Sequence, residues 1–244
     1  MIESKDGAFD DDEWGCTHGL VSELAEERIT AYRVTIRDVE KVAVELARTV
    51  MDTSWMAHLD GGTQRSYQAT VSKTAQELVK IFNGIGGPGH TIAADFGEVM
   101  VSLGAGRALK QVMGHYQVPL AELWKPQVKQ NEGFDFHTVC KKDLINFGEA
   151  KFSAKSSPHG LALRQIKYFI SEEKHLRDRV HLINVCSKKS TDNLDLDDFG
   201  VIAAFSLNGV NPLAILGNAV DSATELLGEH KISHIYLVGV SHEA

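Results

Sequence analysis

Two of the longest apolar runs of this 244-residue chain, Val201-Ile202-Ala203-Ala204-Phe205 and Ile235-Tyr236-Leu237-Val238, have the length of a β-strand. Both fall far short of the roughly 20 residues that cross a bilayer. A helical apolar pattern over 212–227 lies between them, so the C-terminal part reads as strand, helix, strand, which points to an α/β fold. Upstream, periodicity predicts a strand over 28–36, a helix after Asp38, a helix over 64–82 and another over 91–115 that Gly104 and Gly106 can kink. Strands follow over 134–140 and 144–153, joined by Lys141-Lys142-Asp143 as an antiparallel hairpin. Then come a helix over 159–173, a strand over 180–186, a hydrophilic loop over 188–198, and strands over 200–207 and 234–240. The expectation is a mixed central sheet flanked by helices, without internal repeats.

A content of 43% apolar and 24% charged residues excludes disorder along the whole chain. The N-terminus, MIESKDGAFDDDEW, is acidic where a secretory signal is basic and then apolar, so a cytosolic protein is expected. Cys16, Cys140 and Cys186 are an odd number at wide spacing, which fits reduced thiols rather than a disulfide framework. Cys16-Thr17-His18 is the only close Cys/His pair, and without a second pair it is a poor zinc site. The run Gly84-Ile85-Gly86-Gly87-Pro88-Gly89 lacks the G-K-[ST] ending of a phosphate loop and reads as a connection between helices.

The net charge of -8 comes entirely from residues 1–60, which hold 14 acids and 6 bases. Residues 1–20, with the run Asp10-Asp11-Asp12-Glu13, read as a mobile arm or surface strap that restrains a basic face. Between residues 124 and 190 the balance reverses to 13 bases against 7 acids. That stretch can face a polyanion, although lysines also cluster on ordinary solvated faces.

The chemistry is carried by Asp135 and the triplet Glu149-Ala150-Lys151. Residues i and i+2 of a strand share a side, so Glu149 and Lys151 project together while Ala150 faces the core. A suitable hairpin register brings Asp135 onto the same side. Two carboxylates sharing a site repel, and a divalent cation such as Mg²⁺ or Mn²⁺ relieves the conflict through hard oxygen ligands, with the Ala150 carbonyl as a further donor. A cation there polarises a phosphodiester, and Lys151 offsets charge or orients water.

Asp135, followed after a hairpin by Gly148-Glu149-Ala150-Lys151-Phe152, resembles the D…E-x-K signature of the PD-(D/E)XK nuclease superfamily. With Gly97-Glu98 and Gly133-Phe134-Asp135-Phe136-His137, the order is similar to that of the nuclease subunit of the Hachiman anti-phage defence system. The resemblance covers about a third of the chain, and Phe134 stands where the name-giving motif has proline. It implies a restriction-endonuclease-like αβββαβ core over 91–244, with 1–90 as an N-terminal elaboration. It further implies a metal-dependent DNA endonuclease acting beside a helicase-like protein partner, with Asp135 and Glu149 as metal ligands, Lys151 as catalytic lysine and Glu98 as an acid from the first core helix. Gln165 and Tyr168 resemble, with a spacing off by one, the Gln/Tyr pair of RecB-type nucleases.

Bland readings stand beside these. Glu149 and Lys151 can be an ordinary ion pair, which their apolar flanks Ile145, Phe147, Ala150 and Phe152 disfavour. Glu98 can simply face solvent, and Gln165 and Tyr168 can be plain helix surface. His137 can assist the site or be a hydrogen-bonded structural histidine. Lys155 and Arg164 can meet phosphates. A non-catalytic nucleic-acid-binding or scaffold subunit that keeps the nuclease fold is the alternative to an enzyme.

Overall fold

The computed structural model describes residues 8–83, 94–125 and 133–243. The glycine-rich run from Gly84 to Gly89 and the polar connection over 126–132 lie outside the described residues. Strands β1 (Ala8–Asp11), β2 (Cys16–Leu20), β3 (Ile29–Ile36), β4 (Tyr116–Gln117), β5 (Phe136–Val139), β6 (Ile145–Lys151), β7 (Gly200–Ser206) and β8 (His234–His242) form one sheet. Its order is β1-β2-β3-β8-β7-β6-β5-β4. The middle strands β3, β8, β7 and β6 run parallel, while β1, β2, β4 and β5 pair antiparallel toward the edges. The protein is therefore α/β with a mixed sheet, and β3 pairs directly with β8 across almost the full length of the sequence.

The parallel strands need cover on both faces, which is why 200–206 is buried throughout. Helix α1 (Val39–Met51) starts where Asp38 accepts the backbone N–H of Lys41 at 2.9 Å. It packs on α2 (Gly61–Asn83). Helix α3 (Ala94–Met113) lies across β2, β3 and β5–β8. The one-turn α4 (Ala121–Trp124) docks on α2. Helix α5 (His159–Ser171) covers β6 and β7, and α8 (Pro212–Glu229) covers β3 and β8. Between them run α6 (Lys174–Leu182) and α7 (Lys188–Asp195). No described helix is long and apolar enough to cross a membrane.

Three sequence expectations are corrected. The strand over 180–186 is replaced by helix α6 and the turn after it, because the inward face carries His175, Asp178 and Leu182 at helical spacing. The apolar residues that suggested a strand, Val180 and Ile183, point to solvent. The loop over 188–198 contains α7, capped where Ser187 Oγ accepts the N–H of Ser190 at 3.1 Å. Within the described part of the acidic arm, Ala8–Asp11 and Cys16–Leu20 are strands of the sheet rather than a loose strap. Its acids are matched by distant arginines: Arg37 meets Asp10 and Asp12, Arg107 meets Asp11 and Glu13, and Arg48 reaches Glu13.

Candidate active site

The hairpin of β5 and β6 pairs Phe136 with Gly148 and His137 with Phe147. Glu149 and Lys151 project to the same side of β6, and Lys151 Nζ donates to Glu149 Oε1 at 2.6 Å. Glu149 is fully buried, and its Oε2 meets no hydrogen-bond donor. Asp135 sits just before β5: its N–H donates to the Gly148 carbonyl at 2.9 Å, and its Oδ2 accepts the N–H of Ala150 at 2.8 Å. A side-chain oxygen thus replaces a backbone carbonyl in the ladder and fixes the carboxylate beside the E-x-K strand.

Two glycines of the motif follow from packing. A Cβ on Gly148 would lie 2.5 Å from the ring of Phe136, so only glycine lets that ring cross β6. A Cβ on Gly97 would overlap the Phe152 ring, so glycine brings the start of α3 onto the end of β6. This close approach delivers Glu98, the next residue, whose side chain remains solvent-exposed.

Electrostatics tie the group together. Burial, and then the charge of Asp135, push Glu149 well above the usual carboxylate range, against the pull of Lys151. Burial raises Asp135 to about 6, opposed by the Ala150 N–H and by Lys151, while Glu98 adds to the rise. Burial works against the charge on Lys151, but Glu149, Asp135 and Glu98 more than offset it and raise its pKa.

Sequence reasoning missed Glu122. It sits on α4, whose Ala121 N–H donates to the Asp135 carbonyl at 3.2 Å, and its Oε2 is buried without a hydrogen bond. Burial, then Asp135, raises it to about 7. The only sequence signal was a single helical turn, Ala-Glu-Leu-Trp, with Leu123 and Trp124 buried and Glu122 between apolar neighbours.

The other candidates stand apart. His137 is fully buried, and its Nε2 lies 3.1 Å from Asp178 Oδ2, which also accepts from Lys125 Nζ at 2.7 Å. Its ring packs on Trp124 and Phe147, so it serves a buried network. Arg164 lines a groove between α5 and α8 with Lys167, Glu225 and Glu229. Tyr168 is exposed, with Lys174 Nζ 5.2 Å from its ring centre. Lys155 is exposed and Gln165 half-buried. Among the described residues none of these four is hydrogen-bonded or ion-paired to Asp135, Glu149 or Lys151.

The buried Glu149 oxygen without a donor is what a hard divalent cation would satisfy. Asp135 and Glu149 would hold it, with Glu122 or Glu98 within electrostatic reach. These carboxylates do not bring three ligand atoms into one tight cluster. Among the described residues the only group of three or more with all ligand atoms within 4.8 Å is Asp11, Cys16 and His18, which could hold a metal ion. A Mg²⁺ ion needs fewer protein ligands, because it retains waters and takes substrate oxygens.

Comparison with protein-family models, with curated proteins and with solved structures returned no match to this chain.

Proposed function

We propose that this protein is a metal-dependent nuclease that hydrolyses phosphodiester bonds in DNA. One observation carries the reading: buried Glu149 has one oxygen on Lys151 and the other without a donor, beside an Asp135 held by the β6 backbone. The order α3, β4, α4, β5, β6, α5, α6, α7, β7, with β4–β7 adjacent in the sheet, supports the restriction-endonuclease-like core that the D…E-x-K resemblance implies, with α4, α6 and α7 as insertions.

A bound Mg²⁺ or Mn²⁺ supplies Lewis-acid polarisation of a phosphoryl oxygen and acidifies nearby water. The chain's own residues do the rest. Asp135 is immobilised by the Ala150 N–H, so its carboxylate costs little reorganisation. Glu149 is shielded from water, which strengthens its hold on a cation. Lys151, about one-fifth exposed, reaches from the buried carboxylate to solvent and can orient the attacking water or offset charge on the phosphorane-like transition state.

A defence role beside a helicase-like partner rests on the resemblance alone and is part of the proposal. The test is incubation of the full chain with supercoiled plasmid and Mg²⁺ or Mn²⁺, with and without chelator. Cation-dependent nicking is expected, and cleavage indifferent to chelator contradicts the reading.

A further inference from the structure

At the opposite end of the sheet from the E-x-K strand, the β1–β2 hairpin buries a second polar cluster. Asp11 ends β1, and Cys16 and His18 are two apart on β2, so their side chains share one side. The pairing of Asp11 with Cys16 brings all three together. His18 is fully buried, and Cys16 and Asp11 are 2% and 4% exposed, which removes water as their partner.

Hydrogen bonding leaves this cluster incompletely satisfied. His18 Nε2 lies 3.5 Å from Cys16 Sγ and 3.2 Å from Asp11 Oδ2. A neutral ring nitrogen either carries a proton for the carboxylate or offers a lone pair to the thiol, and one atom does not do both. The other ring nitrogen, Nδ1, is buried with no partner.

A metal ion meets all three ligand atoms at once. Zinc bonds of about 2.3 Å to sulfur, about 2.05 Å to imidazole nitrogen and about 2.1 Å to carboxylate oxygen, at a tetrahedral angle, put S···N at about 3.6 Å and N···O at about 3.4 Å. The two separations made by His18 Nε2, 3.5 and 3.2 Å, are close to these, and the third pair, Cys16 Sγ and the Asp11 oxygen, lies within 4.8 Å.

We propose that Asp11, Cys16 and His18 form a three-ligand site for a zinc-class divalent ion, which clips the β1–β2 hairpin to α3 through Arg107. The mixed sulfur, nitrogen and oxygen donor set selects a borderline ion over Mg²⁺. Arg107 Nε and Nη2 donate to the two Asp11 oxygens at 2.7 and 3.1 Å, and Nη2 also donates to Glu13 at 2.8 Å. Arg107 is thus the outer partner that orients the carboxylate. Charge balances as well: an ion of +2 with Arg107 offsets Asp11, Glu13 and the Cys16 thiolate. Binding releases the thiol proton to solvent and requires the neutral His18 ring to carry its proton on Nδ1, leaving the Nε2 lone pair to coordinate. The sequence argued against zinc because it shows only the Cys16/His18 pair, and the third ligand is supplied by strand pairing.

The full chain, purified without chelator, is assayed for metal content by mass spectrometry and then loaded with Co²⁺ for absorption spectroscopy. One zinc per chain and a sulfur-to-cobalt charge-transfer band are expected. The band is expected to persist in a Cys140→Ser/Cys186→Ser protein, which keeps Cys16 as its only thiol, and to vanish in Cys16→Ser. A wild-type chain with far less than one zinc as purified and no band after Co²⁺ loading overturns the proposal, as does loss of the band in the Cys140→Ser/Cys186→Ser protein. These two readouts decide the matter even if Cys16→Ser fails to fold.

Discussion

Asp135 Oδ2 accepts the backbone N–H of Ala150 at 2.8 Å, so the acid that precedes one strand is held by the middle residue of the E-x-K triplet on the next. This single bond converts a sequence motif split by a hairpin into one rigid group. It also leaves the other Asp135 oxygen for a ligand while Lys151 occupies only one oxygen of Glu149.

The raised carboxylates set a pH dependence for cation binding. Protons and the cation compete for Asp135, raised by burial to about 6, and for Glu149, pushed well above the usual carboxylate range, while neighbouring Glu122 is raised to about 7. Affinity for Mn²⁺ should fall as the pH drops from 8 to 5, by up to about tenfold per pH unit for each ligand that must lose a proton. The rise in Tm produced by millimolar Mn²⁺, measured from pH 5 to pH 8, checks this, and a rise independent of pH speaks against it.

A carboxylate whose folded pKa is raised makes the metal-free fold less stable as pH climbs from the unfolded value near 4 to the folded value near 6. Asp135→Asn removes that charge and can still accept the Ala150 N–H. The variant should be more stable than wild type by about 1–3 kcal/mol in chelator at pH 8, and should lose its Mn²⁺ response. Equal denaturation midpoints at pH 8 would show that the charge is not under strain.

Gly148 has no room for a methyl group, with the Phe136 ring 2.5 Å from the position a Cβ would take. Gly148→Ala should destabilise the fold by about 1–3 kcal/mol and reduce cleavage more than its stability loss explains, since Asp135 hangs on the Gly148 carbonyl. Urea denaturation and plasmid cleavage on the same preparation separate the two effects.

The buried Lys125–Asp178–His137 network is structural in this account. Asp178→Ala leaves Lys125 and His137 without their carboxylate and should cost about 3–5 kcal/mol. His137→Gln should leave the cation dependence of cleavage unchanged. A folded His137→Gln protein with altered metal dependence would return that histidine to the active site.

Much of the frame was legible in the sequence because local periodicity and burial agreed. The Asp38 cap of α1, the apolar runs of β7 and β8 and the hairpin around Asp143 are such cases. Helix α6 was not legible, because its inward face is held by Asp178, whose partners His137 and Lys125 lie 41 and 53 residues away. The N-terminal strands were hidden in the same way: a run of acids looks solvated until Arg107, nearly a hundred residues on, is seen to hold Asp11. In the candidate site, Asp135, Glu149 and Lys151 are brought together and Glu98 reaches them by charge. Glu122 carried no motif, because its place depends on a one-turn helix docking against the Asp135 backbone.

The decisive measurement is cation-dependent cleavage of supercoiled plasmid by wild type, Glu149→Gln and Lys151→Met, each shown to be folded. Wild type should cleave only with Mg²⁺ or Mn²⁺, and each variant about 10²–10⁴-fold more slowly. Cleavage at the wild-type rate by both folded variants would rule out the assigned site.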